Sequence, residues 1–434
     1  MRKILEYIKL FICMILLFNL LLLLSSLFPS EILKNNVIES ADILLNEGNH
    51  FTFDFVNIRN NNYTDALIVN MLYSIDNQTP IQSYILGRKN YNKDFTKKIV
   101  EATIGEAKSI KPYSENEFTD KYDAVGELYN FVNEKIFVSM KYERYWHGWL
   151  TFYRALMILL NVAEIRILLL IILAILFIIL IYKLAKEFGF GISFLFAYVL
   201  IVYDYFFVSY SLESSPIFIL MMVMSIIILK YSKRIDIAKC MFLVGMIANF
   251  IDFLTVPLIS IVIPIYIYIL ALNKQNIEKI TIIKKVIASV VLWGCGYAFT
   301  WIFKWIVCEL LIGKGSFIAA VKQVLYRSAQ SNPETTITLG DTLIRSLIKV
   351  FIHISFILLV IGILISKRKV EISLMKIKEN KWILCLIGAL SLLPLMWYLV
   401  LGNHTILHYF FVYRHMMIFM LGNFLIIYNC LKVN

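Results

Sequence analysis

The sequence predicts an all-α polytopic membrane protein of about ten transmembrane helices, with a large outer loop directly after the first. Three observations carry that prediction. Of 434 residues 60% are hydrophobic and only 17% are charged, and the mean hydropathy is +0.74. The apolar residues come in runs close to the ~20 residues a helix needs to cross the hydrocarbon layer. The lysines and arginines between the runs collect in alternate loops. Inside lipid every backbone N–H and C=O must be paired within its own segment, so the runs read as helices. The alternating pattern of a membrane β-barrel is absent.

Ten spans follow, at 10–28, 165–183, 189–209, 215–231, 237–251, 254–272, 286–311, 344–366, 382–400 and 409–430. The run at 237–251 is short enough to be half of a re-entrant or tilted pair. Arg2, Lys3 and Lys9 precede the first span and place the N-terminus in the cytoplasm, because cytoplasmic loops carry the basic excess. The same parity puts Lys183 with Lys186, Lys230 with Lys233 and Arg234, Lys274 to Lys285, and Lys367 to Lys381 inside. The net charge of +12 is this bias plus attraction to anionic lipid, with no nucleic-acid signature. Leu21–Leu27 lengthens the first apolar core and Phe28-Pro29-Ser30 is a poor cleavage site, so the first run reads as an anchored helix and not as a signal peptide. The six cysteines show no C-x-x-C and no metal spacing; they read as small apolar core residues. Abundant Ile, Lys and Asn fit an AT-rich bacterial genome, hence a multi-pass protein of the bacterial cell membrane with the large loop outside.

Three regions result: 1–28, the first helix; 29–164, an extracytoplasmic loop with interfacial helices; and 165–434, the multi-spanning part. Within the loop, Tyr63–Tyr73 begins like a capped helix with Thr64 or Asp65 in its first turn. From Tyr122 to Met140, Val125, Leu128, Tyr129, Val132, Ile136 and Phe137 fall on one helical face. Trp149–Val162, interrupted by Arg154, is expected to lie along the interface, with Trp146 and Trp149 at headgroup depth. A second outer loop, 312–343, contains Gly315 and Pro333 and could close over a substrate.

The threading brings scattered polar residues to the outer face, and each has a bland and a sharp reading. Asp65 is a plain helix cap or a carboxylate kept ionised as a general base; Asp54 and Asp76 are weaker neighbours. Arg144 and His147, in the aromatic segment Lys141–Trp149, are interfacial decoration or a phosphate clamp beside rings that suit sugars. Arg154 and Arg166 read as snorkelling side chains. Asp252 stands between two short apolar runs just before Pro257, where an ionisable group is either a wetted hinge or a site. Asp204 and Glu213 flank a turn and read as solvated. Lys304, between Trp301 and Trp305, snorkels or joins Arg327 in supplying positive charge. In Gly402–His415, His404 and His408 are four apart and share a face if helical; they could bind a metal, polarise a phosphate or shuttle protons, although no third ligand stands at a metal spacing. Arg414 lies inside an apolar run and should be paired with a carboxylate or a lipid phosphate.

Cations and carboxylates at the outer mouth of such a protein suit a lipid-linked phosphate: cations neutralise the leaving phosphate, and a carboxylate takes the proton of an acceptor hydroxyl. No phosphate-binding glycine loop is present. The order of segments resembles the polytopic glycosyltransferases of the GT-C fold, with a large loop after the first span and further outer loops carrying Arg and His. Tyr63-Thr64-Asp65 looks like that family's loop-acid region. The resemblance implies that Asp65 is the base; with the residue readings above, the catalytic candidates are Asp65 and Asp252, and the candidates for binding the lipid phosphate or sugar are Arg144, His147, Lys304, Arg327, His404, His408 and Arg414. It implies a polyprenyl-phosphate-linked sugar as donor, membrane lipid and a cell-envelope acceptor as partners, and no certain cofactor, with a divalent metal left open. Other readings are a surface polysaccharide polymerase or ligase, a transporter or flippase with midplane charges and broken helices in repeated halves, and a non-catalytic scaffold whose polar groups do not converge.

Overall fold

The computed structural model describes residues 2–53, 58–87, 89–92, 124–133, 137–313, 315–331, 335–367 and 369–433. Asp54, Tyr122, Ile136 and Pro333, named above, lie outside them. The described chain is almost wholly helical. Its strands pair only as two-stranded ladders: β1 (His50–Phe53) with β2 (Ile58–Asn61), β3 (Lys89–Asn92) with β4 (Phe137–Met140), and β5 (Val370–Ile372) with β6 (Leu431–Val433), all antiparallel.

Helix α1 (Arg2–Ser26) is followed by the loop helices α2 (Lys34–Glu47), α3 (Asn62–Tyr73), α4 (Pro80–Leu86), α5 (Ala124–Asn133) and α6 (Leu150–Met157). The one helix expected from Tyr122 to Met140 is therefore helix and then strand. Then come α7 (Val162–Phe188), α8 (Phe190–Val202), α9 (Ser215–Tyr231), α10 (Ile237–Ile251), α11 (Ile259–Lys274) and α12 (Lys279–Ile312). The chain ends with α13 (Ser316–Arg327), α14 (Leu339–Ser366), α15 (Leu374–Ser391), α16 (Leu393–Val400), α17 (Gly402–Leu407), α18 (Tyr409–Val412) and α19 (Met416–Asn429).

Among the described residues, six stretches are long and apolar enough to cross a membrane: Lys3–Ser26, Val162–Phe188, Lys279–Leu311, Leu339–Ser366, Leu374–Val400 and Tyr409–Asn429. Helices α8 to α11 are apolar but shorter, so six stretches, not ten, meet the length a crossing needs. The reason is visible in packing. Every residue of α11 from Ile259 to Leu272 is buried, so protein surrounds it and its length need not match the lipid. By contrast, Ile8, Ile12, Leu16, Leu20 and Leu24 on α1, and Ile344, Ile348, Ile352, Phe356 and Leu359 on α14, stand exposed in rows, as lipid-facing side chains do.

Helices α10 and α12 touch backbone to backbone. A Cβ on Gly245 would collide with the carbonyl oxygen of Trp293, and one on Gly296 with that of Phe242; glycine at both contacts is what lets the helices approach. Helix starts are written in the sequence. Asn161 accepts from the Glu164 N–H at 3.0 Å while the Glu164 carboxylate accepts from the Asn161 N–H at 2.9 Å, a reciprocal cap that starts α7. Thr338 and Asp341 do the same for α14.

Contacts sort the helix ends into two sets. One end holds Lys239 with Glu6 at 3.2 Å, Lys274 with Glu187 at 3.1 Å, and the β5–β6 ladder; the basic loops gather there. The described part of the loop region sits on the other end, through Tyr153 to Leu212, Trp146 to Thr300, Gly148 to Phe250 and Lys304 to Ile85. The alternation read from charge is thus the alternation of the helix ends in space.

Candidate functional site

The loop region is pinned by buried cations. Arg154, expected to snorkel, is wholly buried and donates to the carbonyls of Ser25 and Phe28 at 2.8 Å each, to Leu72 and to Ser30 Oγ at 3.2 Å. Ser25 and Leu72 lie in the last turns of α1 and α3, so one guanidinium satisfies carbonyls that have no partner within those helices. Arg166, also expected to snorkel, donates to Asp65 at 2.9 Å, Glu47 at 2.8 Å and Asn62 at 2.9 Å. Asp65 is in the first turn of α3 but does not cap it. Its other oxygen accepts from the Leu212 N–H at 2.8 Å, which joins α3 to the turn before α9. Burial raises its pKa to about 6 against the opposing pull of Arg166.

Lys304 and His147 are also buried fasteners. Lys304 donates to the Ile85 carbonyl at 2.9 Å in the last turn of α4, so its ammonium lies in an interface and not at an open mouth. The His147 Nε2 meets the Tyr142 carbonyl at 2.7 Å, and burial lowers its pKa to about 3, so the ring is neutral and Nε2 is the donor. The ring packs on Gly87, where a Cβ would lie 2.5 Å from Nε2; Gly87 also has φ +54°, so glycine is required twice over. Trp146 and Trp149 are buried among these groups, so protein and not lipid headgroups surrounds both rings.

The turn 252–258 is the hub. Asp252 ends α10 in extended backbone and accepts from the Thr255 N–H at 3.0 Å and from the Thr255 hydroxyl. Burial raises its pKa to about 7 in spite of those bonds. Leu254 has φ +68°, a costly conformation for a branched residue. Its carbonyl accepts from His404 Nε2 at 2.8 Å. The Nε2 proton is therefore fixed, and Nδ1 accepts from the Arg327 guanidinium. Burial, then His408 and Arg327, hold the His404 pKa well below its usual value. His408 stacks on Phe411 with centroids 5.2 Å apart and lies 4.7 Å from the His404 ring. The two rings do share a face, but both His404 nitrogens are engaged. Among the described residues no three His, Cys, Asp or Glu side chains gather as a metal site.

Glu213, read as solvated, is only 3% exposed. Burial raises its pKa to about 8; the charges of Asp65 and Asp252 add to this, and the Thr64 bond and Arg414 oppose it. The charges of Asp65, Asp252 and Arg414 all act on Glu213. Arg414 is 7% exposed. Among the described residues its guanidinium has no carboxylate within 4.0 Å and no hydrogen bond, only the Tyr413 ring at 5.3 Å. Asp204, also read as solvated, accepts from the Tyr413 hydroxyl.

The last stretch is not the continuous helix expected from 409. It is interrupted between α16 and α19 by α17, α18 and a 3-10 turn at Tyr413–His415. Irregular backbone at such depth is tolerated where protein buries it or a cavity borders it, and here Asn403, His404, Arg414 and His415 are all buried. Beside it, a narrow crevice with a volume of about 10 Å³ is lined by Arg144, Tyr145, Trp301, Trp305, Ala320, Gln323, Val324 and Arg327. The Nε atoms of Arg144, Arg327 and Arg414 are buried without a hydrogen-bond partner. A wider hollow, between Arg234 and Lys285, lies at the opposite end among the basic loops.

The structure thus joins His404 and, through it, Arg327 to the turn that begins at Asp252, stacks His408 beside them, leaves Arg414 against Tyr413, and places Asp65, His147 and Lys304 in the supporting interfaces. Glu213 carried a faint signal, an acid enclosed in Ser211-Leu-Glu-Ser-Ser-Pro216, a turn with nothing basic beside it. No protein-family profile, no curated protein and no solved structure matches the chain.

Proposed function

We propose that the chain is a membrane glycosyltransferase that moves a sugar from a polyprenyl-phosphate carrier to a cell-envelope acceptor at the outer face of the bacterial membrane, with the ten apolar helices as its spans and the basic end in the cytoplasm. The observation that carries this reading is Arg414. A guanidinium that is 7% exposed and lacks a protein anion among the described residues is expensive unless an anion completes it. Phosphate fits a planar fork of donors. Arg327, held by His404, and Arg144 extend the positive field along the aromatic crevice.

In this scheme the acceptor hydroxyl loses its proton to Asp252, and its oxygen bonds the anomeric carbon. The bond from that carbon to the phosphate oxygen breaks, with the electron pair leaving on the phosphate, which the arginines stabilise. A pKa near 7 suits a base working at neutral pH. Glu213, protonated there, donates a hydrogen bond to the sugar or phosphate. Asp65 acts as a positioning residue through Arg166 and Leu212. Purified protein in lipid nanodiscs, given labelled polyprenyl-phosphate sugars, should release lipid phosphate. Arg414→Gln should reduce release by about 100-fold and Arg414→Lys by less; equal release by folded Arg414→Gln refutes the scheme.

The interrupted helix at 400–416 favours a second reading, a lipid-linked transporter, since broken spans mark transport sites. That reading requires transfer of intact donor across the bilayer with no release of lipid phosphate.

A further inference from the structure

A further cation, Lys349, borders the site described above on the side where α14 carries its exposed apolar row. Helix α14 presents Ile344, Ile348, Ile352, Phe356 and Leu359 outward, yet Lys349 interrupts this surface about 15 Å along the helix from its start. A lysine at such depth is a functional-site candidate by default. Its ammonium is turned to the protein, 4.9 Å from the ring centroids of both Tyr203 and Tyr413. Among the described residues it has no ion pair within 4.0 Å and no hydrogen bond; its nearest acid, Asp204, accepts from the Tyr413 hydroxyl. One turn on, His353 is hydrogen-bonded to Tyr198 at 2.8 Å. Arg414 lies over the same Tyr413 ring, 5.3 Å from its centroid.

We propose that Lys349, set between Tyr203 and Tyr413, receives the phosphate of an anionic lipid arriving sideways from the bilayer and passes it to Arg414. Two tyrosine faces stabilise the ammonium only in part, and an anion completes it. With Asp204 engaged by Tyr413, the two cations Lys349 and Arg414 outnumber the one acid, so the cluster favours an anion. The apolar side chains of Ile348, Ile352 and Phe356 alongside suit a hydrocarbon chain, which points to a lipid and not to free phosphate. The handover to Arg414 rests on the transferase reading; the binding does not.

The test is retention of defined lipids by purified protein, read by native mass spectrometry after nanodisc exchange. Wild type should retain polyprenyl phosphate over the neutral polyprenol. Lys349→Met should lower retention about tenfold while Lys349→Arg keeps it, since a tenfold loss is the change expected from one modest contact. Should Lys349→Met fold poorly, Tyr413→Phe serves: it frees Asp204 to neutralise Lys349, and retention should again fall. Equal retention of the phosphate and the alcohol, unchanged retention in the folded variants, or equal protection by inorganic phosphate overturns the proposal. Loss of retention in Lys349→Met alongside full transfer by Asp252→Asn would leave this site standing and remove the transferase scheme; the reverse pattern would do the opposite.

Discussion

One guanidinium, that of Arg166, reaches Asp65 at 2.9 Å and Glu47 at 2.8 Å, and so ties the membrane helix α7 to two helices of the preceding loop region. Asp65 is fully buried and Arg166 is 3% exposed. Breaking such a pair leaves one charge buried alone, which costs about 3–5 kcal/mol. Asp65→Asn and Arg166→Met should each lower the melting temperature in detergent markedly, whereas the double variant Asp65→Leu/Arg166→Met should recover part of the loss. Single variants that melt like wild type would show that the pair does not hold the loop region down.

Asp252 and Glu213 should shape the pH profile. The base must be ionised and the acid protonated, so kcat/KM should rise through about pH 7 and fall above about pH 8. The two limbs belong to the coupled pair and not to either residue alone. Thr255→Val removes a hydroxyl that lowers the Asp252 pKa, so the acid-side limb should move to higher pH. A limb that stays in place contradicts the assignment of Asp252.

Stability should vary with pH in a set direction. Asp65, Asp252 and Glu213 have folded pKa values raised to about 6, 7 and 8. The folded state therefore holds more protons than the unfolded chain, and the stabilisation, complete below the unfolded values, is lost as pH rises through the folded ones. The neutral His147 and His408, lowered to about 3, act oppositely, but only below their unfolded values near pH 6.5. Between pH 6.5 and 8.5 the melting temperature should fall, and Glu213→Gln should flatten the upper part of that decline. A flat wild-type curve would contradict the burial of these acids.

The α10–α12 contact makes a sharper structural demand. Gly245→Val places carbon against the Trp293 carbonyl, and overpacking of this kind costs about 1–3 kcal/mol. Gly294→Val, whose Cβ would meet nothing within 4 Å, should be far milder. Thermal unfolding of the two variants side by side checks this, and equal losses would refute the close approach.

The helical character, the long apolar stretches and the sorting of helix ends were legible because length and basic-residue spacing respond directly to the bilayer. The link between the Asp252 turn and His404 was half legible: position marked both residues, but Leu254, whose carbonyl joins the turn to His404, is an ordinary leucine in the sequence. Partners were not legible. Arg154 and Arg166 looked like snorkelling side chains because their acceptors lie between 82 and 129 positions away, and Glu213 looked wet because nothing local shows the loop region folding over it. The burial of α11 on all sides was not legible either, because an apolar run reads the same whether lipid or protein buries it.

The transfer step itself is the most direct test. Labelled sugar transferred from polyprenyl phosphate should be followed in a single turnover with wild type and Asp252→Asn, each shown to be folded by its melting temperature. Wild type should release lipid phosphate, and Asp252→Asn should do so at a rate about 100-fold to 10,000-fold lower. Equal rates in the two proteins, or no release by wild type with any polyprenyl-phosphate sugar, would contradict it.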